Sequence, residues 1–220
     1  MVLYIGNKNY SSWSMRPWLL MRQVGIAFEE RKLRLFSEDF YRELAAVTPA
    51  HRVPVLCDGD LCIWDSLAIV EYLAERFPDH RLWPAPVAQR AHARAISAEM
   101  HSGFGALRAA MPMNIEASLP GRGWNLAVQA DVDRIVRMWL DCRARHAGDG
   151  PFLFGAFSIA DAMYAPVVWR FRTYAVSVPS ECEAYMATML ELPAMRDWVR
   201  DALAEQDFLD GDEPYRRSRD

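Results

Sequence analysis

Leu82-Trp83-Pro84-Ala85-Pro86 divides this chain into two unlike parts. Two prolines in three residues delete two backbone donors and push the residues before them into extended conformations, so neither a helix nor a central strand crosses this stretch. Before it, short apolar runs alternate with helical patterns. After it, strand signals cease and long helical patterns take over. Such a division predicts an α/β unit over residues 1–80 and an all-helical unit over 87–215.

Within the first unit, Val2-Leu3-Tyr4-Ile5 reads as a buried strand stopped by Gly6. A serine-rich stretch, Tyr10-Ser11-Ser12-Trp13-Ser14, feeds a helix with Trp18, Leu19, Met21 and Val24 apolar and Gly25 as its C′ residue. Residues 28–35 are the next strand and 39–47 a short helix. Two apolar runs around Asp58-Gly59-Asp60 then predict a β-hairpin. Pro54 is awkward there, since it lacks the N–H a central ladder needs; it marks either an edge or a special position. Asp65-Ser66 opens a helix striped by Leu67, Val70, Leu73 and Phe77. Helices are predicted over 88–111, 124–146, 158–174 and 180–204, and the charged tail over 207–220 is expected to fray.

Composition narrows the function classes. The 220 residues are 52% apolar and carry 25 Lys and Arg against 29 Asp and Glu, a net charge of −4. That excludes global disorder and disfavours a general grip on nucleic acid. No run approaches the ~20 apolar residues of a membrane span, and residues 1–9 lack the pattern of a secretory signal. The four cysteines form no CxxC and no metal-ligand spacing. Cys57 and Cys62 flank the hairpin, where a disulfide across it is one reading, but two small reduced core residues are the expectation for a cytoplasmic protein.

Four short stretches in order carry a resemblance: Ser11-Ser12-Trp13-Ser14-Met15-Arg16, Arg52-Val53-Pro54-Val55-Leu56, Asp65-Ser66, and Ser158-Ile159-Ala160-Asp161-Ala162. Together they resemble the glutathione S-transferase superfamily, a thioredoxin-like domain joined to a helical domain, most closely its zeta-like serine type. The resemblance covers nearly the whole chain. It implies glutathione as co-substrate, a small-molecule electrophile as second substrate, no metal, and a homodimer.

Each stretch also has a physical reading. A loop feeding a helix N-terminus gathers free N–H groups and favours anions, and a serine hydroxyl there can hold a thiol as thiolate. Ser11 and Ser12 both match the family's catalytic serine, and the sequence leaves the choice open; Ser14 reads as a helix cap. Trp13 stands where the zeta-like pattern has cysteine. The resemblance implies a cis Val53-Pro54 peptide whose Val53 backbone meets the tripeptide. Ser66 and Asp65 suit the carboxylate and ammonium of its γ-glutamyl end, and His51 and Arg52 its glycine carboxylate. Ser158 and Asp161 have capping-box spacing and a structural role.

The second substrate is expected between the units, with Tyr10, Trp13, Met111, Met113, Trp169 and Arg172 as lining. For an acidic substrate, Arg172 matches the zeta-like arginine to within one residue and Arg170 competes with it. The expected activity is glutathione transfer to a hydrophobic electrophile. Its rivals are a maleylacetoacetate-type cis–trans isomerase and a non-catalytic adaptor of the same fold.

Overall fold

The computed structural model describes residues 1–219; Asp220, last residue of the expected frayed tail, lies outside them. Four strands form one sheet in the order β2-β1-β3-β4: β1 is Val2–Ile5, β2 Glu29–Lys32, β3 Val55–Asp58 and β4 Leu61–Trp64. β1 runs parallel to β2 and antiparallel to β3, and β3 and β4 form the hairpin, with Val55 opposite Trp64 and Cys57 opposite Cys62. Leu3, Ile5 and Leu56 point to one face, where α1 (Ser12–Val24) and α3 (Ser66–Arg76) bury them. Val55 and Cys57 point to the other, where α2 (Glu38–Ala45) closes a smaller cluster with Phe40 and Leu44. This is a thioredoxin-like α/β unit. At one edge, β2 is four exposed charged residues, Glu29-Glu30-Arg31-Lys32, a composition that discourages further strand pairing.

The remaining elements are helical: α4 (Val87–Ser102), α5 (Gly105–Ala110), α6 (Leu126–His146), α7 (Ile159–Thr173), α8 (Ser180–Leu190) and α9 (Pro193–Ala204). Two expected helices are each split. Gly103 N–H closes α4 on Glu99 O at 2.8 Å, and a Cβ at Gly103 would lie 2.7 Å from that oxygen, so only glycine fits the break. Phe104 follows with φ +55°. The other split comes at Pro193, whose missing N–H stops α8 and suits the first turn of α9.

Helix α7 is the axis of the helical unit, with every residue buried but Arg172, and it packs on α1 of the α/β unit and on α4. Its N-terminus is set by Asp161, 0% exposed. Ser158 N–H and Oγ–H donate to Asp161 Oδ2 at 2.9 and 3.1 Å, and Leu153 N–H donates to Oδ1 at 3.0 Å. The structural role expected of this pair is what these bonds perform.

Three expectations are corrected. First, the tail does not fray up to residue 219. Just before it, Glu205 accepts Lys8 N–H at 2.7 Å; within it, Asp207 accepts Asn7 Nδ2–H at 2.7 Å and Leu209 enters the cluster beneath α2. Glu213 is buried, accepting Tyr10 Oη–H and Asn114 Nδ2 at 2.8 Å each, while Arg216 pairs with it at 2.6 Å. Charge in this tail signals specific pairing rather than solvation. Second, Cys57 and Cys62 are joined by a disulfide, because opposed positions on the hairpin bring their Cα atoms to 4.1 Å; Cys142 and Cys182 are free and buried. Third, Ser14 is not a cap. It lies inside α1 and accepts Gly6 N–H at 3.1 Å, tying the helix to the end of β1.

Candidate active site

One continuous cleft runs between the two units. Its inner part, about 390 Å³, is lined by Val53, Pro54, Trp64, Asp65 and Ser66 from the sheet side and by His101 and Arg108 from α4 and α5. Its outer part, about 650 Å³, is lined by Tyr10, Ser11 and Ser12, by Phe36, Phe40 and Tyr41 around the start of α2, and by Arg108, Pro112, Met113, Arg170 and Asp212. Trp13, Arg52, Val53 and Arg108 belong to both parts.

The Val53-Pro54 peptide is cis, which accounts for a proline at the head of β3. Where β4 ends, Asp65 takes φ +79° and caps α3, accepting the N–H groups of Leu67 and Ala68 at 2.8 and 3.3 Å. Its second oxygen lies 3.1 Å from His101 Nε2, a contact between the units. Ser66, first residue of α3, is 1% exposed, yet its Oγ has no hydrogen-bond partner among the described residues. A buried hydroxyl left unpaired at a helix N-terminus is a donor suited to an anionic acceptor such as a carboxylate.

At the serine loop the two candidates differ. Ser11 is hydrogen-bonded to Ser14 at 2.7 Å. Ser12 Oγ accepts Arg170 Nη2–H at 3.3 Å, so its own O–H remains to be donated into the cleft. Arg170 is nearly buried and anchored by Nε to Met111 O at 2.9 Å; burial pushes its pKa down to about 10. Arg16 sits 4.0 Å and Arg108 5.2 Å from the Trp13 ring centre. Burial first, then Arg170 and Arg108, holds Arg16 well below the usual arginine range. Two guanidiniums flank this indole and a third, Arg170, lies on Ser12, a gathering of positive charge that favours anions in this part of the cleft.

Across the outer part, the Tyr10 hydroxyl is raised to about 12, by burial and then by its bond to Glu213. This hydroxyl donates to Glu213 Oε1 at 2.8 Å.

Of the residues expected to form the site, Ser11, Ser12, Val53, Pro54, Asp65, Ser66, Arg52, His51, Tyr10, Trp13 and Met113 do line the cleft. Three expected lining residues do not. Met111 is fully buried in the core, and only its carbonyl reaches toward the cleft, through Arg170. Trp169 and Arg172 line a separate depression with Glu116, Thr173 and Leu203. Two residues along a helix turn the side chain by ~200°, so Arg170 and Arg172 cannot share a face. Arg170 is the one in the cleft. Sequence reasoning missed His101, Arg108, Asp212 and the aromatic residues Phe36, Phe40 and Tyr41; for His101 and Arg108, Gly103 inside an apparently continuous helix was the available signal.

Known proteins place this architecture. Residues 10–76 match the glutathione S-transferase N-terminal domain and residues 88–201 the C-terminal domain. A probable maleylacetoacetate isomerase of Vibrio cholerae is 32% identical over 77% of this chain and 80% of that protein. One of Caenorhabditis elegans is 39% identical, but over 47% of each chain, about half the length of that relative. A stringent starvation protein A homolog of Coxiella burnetii is 26% identical over 94% and 93%. Among solved structures, a bacterial zeta-class maleyl pyruvate isomerase superposes with a TM-score of 0.71 at 23% identity, over 92% and 98%. The matches to both family domains, together covering most of its length, show that the chain belongs to the glutathione S-transferase family.

Proposed function

We propose that this chain is a glutathione transferase whose Ser12 hydroxyl holds the glutathione sulfur as thiolate. The observation that carries this reading is the unpaired, buried Ser66 hydroxyl at the N-terminus of α3, in a cleft continuous with Ser12. In this reading Ser66 and the first N–H groups of α3 take the γ-glutamyl carboxylate, and Asp65, steadied by His101, takes the ammonium. The Val53 backbone aligns the peptide, and Arg52 and His51 meet the glycine carboxylate. Glutathione supplies the nucleophilic sulfur. Ser12 donates to that sulfur, while Arg170, Arg108 and Arg16 favour its negative charge. A free thiol titrates near ~8.5, and each unit of depression is worth about 1.4 kcal/mol. The aromatic wall of Phe36, Phe40 and Tyr41 receives an apolar electrophile. Proximity and thiolate population then supply the rate. The reading includes a cytoplasmic homodimer that uses no metal.

Calorimetric titration tests it. Glutathione is expected to bind at sub-millimolar concentration, and Ser66→Ala to weaken it about tenfold, the worth of one hydrogen bond to a charged group. No binding at millimolar glutathione would overturn the reading and favour the adaptor alternative.

A second reading, reversible addition of the sulfur to an activated alkene bearing a carboxylate, is favoured by Arg170 in the cleft. The expected signature is that Arg170→Gln raises KM for a carboxylate-bearing alkene by roughly 10–100-fold, the loss of a charge-assisted bond. KM for a neutral electrophile should change far less. Equal effects on both would contradict the isomerase reading.

A further inference from the structure

The Cys57–Cys62 disulfide lies outside the cleft and takes no part in the chemistry above, yet it joins the two arms of the hairpin that build the inner cleft. Val53 and Pro54 precede β3, Trp64 closes β4, and Asp65 and Ser66 follow it. The bridge spans opposed residues of those strands. We propose that it is a thiol-exchange site at which a low-molecular-weight thiol of the glutathione class attacks Cys62, and that its opening loosens the cleft.

The direction of attack follows from the sheet. A thiolate must approach a disulfide sulfur in line with the S–S bond, from the side opposite the leaving sulfur. The bridge runs from β3 to β4, and β4 is the last strand in the order β2-β1-β3-β4. An attacker on Cys62 therefore comes from beyond the open edge, where Leu61 and Trp64 are half exposed and Cys62 itself is only partly buried. An attacker on Cys57 would have to come over β1, on the face that α2 covers. Cys57 is also packed with Val55, Phe40 and Leu44.

The step balances. The thiolate forms a new S–S bond to Cys62, the Cys57–Cys62 bond breaks, and Cys57 leaves as thiolate and takes a proton from water. A second thiolate attacks the attached thiol's sulfur, releasing a low-molecular-weight disulfide and leaving Cys62 reduced. Two thiols are oxidised and one protein disulfide is reduced; the same low-molecular-weight disulfide closes the bridge in reverse. A disulfide facing a reducing pool through an open strand edge is of the exchangeable rather than the inert kind.

The full chain is held in glutathione buffers of rising reduced fraction, quenched, alkylated without unfolding, and mapped by mass spectrometry. Expected are a glutathionyl adduct on Cys62 at intermediate ratios and alkylation of Cys62, the partly buried arm of the bridge, at high ratios. Cys142 and Cys182, free and buried, should stay unlabelled and report that the fold is intact. A bridge that resists reduction until the protein unfolds, or an adduct on Cys57, would overturn the proposal. Its second half rests on the proposed function and is read with S-methylglutathione, which has no thiol to exchange. The reduced form should bind it roughly fivefold more weakly, because the hairpin arms are no longer pre-organised. Equal affinity of the two forms would overturn the coupling. Binding to neither form would instead sink the glutathione reading, leaving the exchange chemistry to be judged by the alkylation map.

Discussion

Asp161→Ala is expected to cost the folded chain about 3–5 kcal/mol, which denaturant unfolding would register as a large fall in the transition midpoint. The carboxylate is fully buried and accepts Leu153 N–H, Ser158 N–H and Ser158 Oγ–H. Alanine leaves three donors in the core, each costing about 1–3 kcal/mol when unpaired. Whole domains are stable by only ~5–15 kcal/mol, so the variant should be marginal. Asp161→Asn keeps the shape and part of the accepting capacity and should cost much less. A loss below about 1 kcal/mol for the alanine variant, the worth of a simple helix cap, would contradict this account of α7.

The same residue predicts a pH dependence. Burial, only partly opposed by its hydrogen bonds, raises the Asp161 carboxyl from 3.8 to about 6. The folded chain therefore holds this proton where the unfolded chain has lost it. The stability it contributes is present below about pH 4 and is lost as pH rises through about 6. Asp161→Asn should lack that slope, which unfolding curves across this range would measure.

The second large effect is on catalysis. Ser12→Ala is expected to lower kcat about a hundredfold, on the scale of removing one preorganised donor from a developing or fixed anion. Affinity for glutathione should change little, since Ser66, Asp65 and Val53 are untouched. Ser11→Ala should be milder, because the Ser11 hydroxyl is engaged with Ser14, whereas Ser12 receives its hydrogen bond from Arg170. Steady-state kinetics with a neutral aromatic electrophile separates the two. A larger loss in Ser11→Ala would reverse the assignment.

The legible features were those set by local chemistry. Proline pairs, the Asp58-Gly59-Asp60 turn, the stripe of α3 and the spacing of Ser158 and Asp161 act over a few residues, so their consequences show in one dimension. Pro54 was legible as an anomaly, and the resemblance gave it a meaning that the cis peptide matches. What escaped depends on distant partners. Arg170 differs from Arg172 only by helix rotation toward Ser12, 158 positions away. The order of the tail is not legible in one dimension because its charges meet Asn7, Arg34, Asn114 and Glu116, residues whose proximity no local pattern encodes. His101 meets Asp65 across the two units, a pairing equally absent from any local pattern.

The proposed catalysis turns on the protonation state of one sulfur. Ultraviolet absorbance of the thiolate, followed against pH with glutathione bound, reads it without any second substrate. The wild-type chain should titrate at least about one unit below the ~8.5 of a free thiol, and Ser12→Ala should return most of the way to that value. A bound thiol that titrates like the free one in the wild type, or one equally depressed after Ser12→Ala, would contradict the central role given to this hydroxyl.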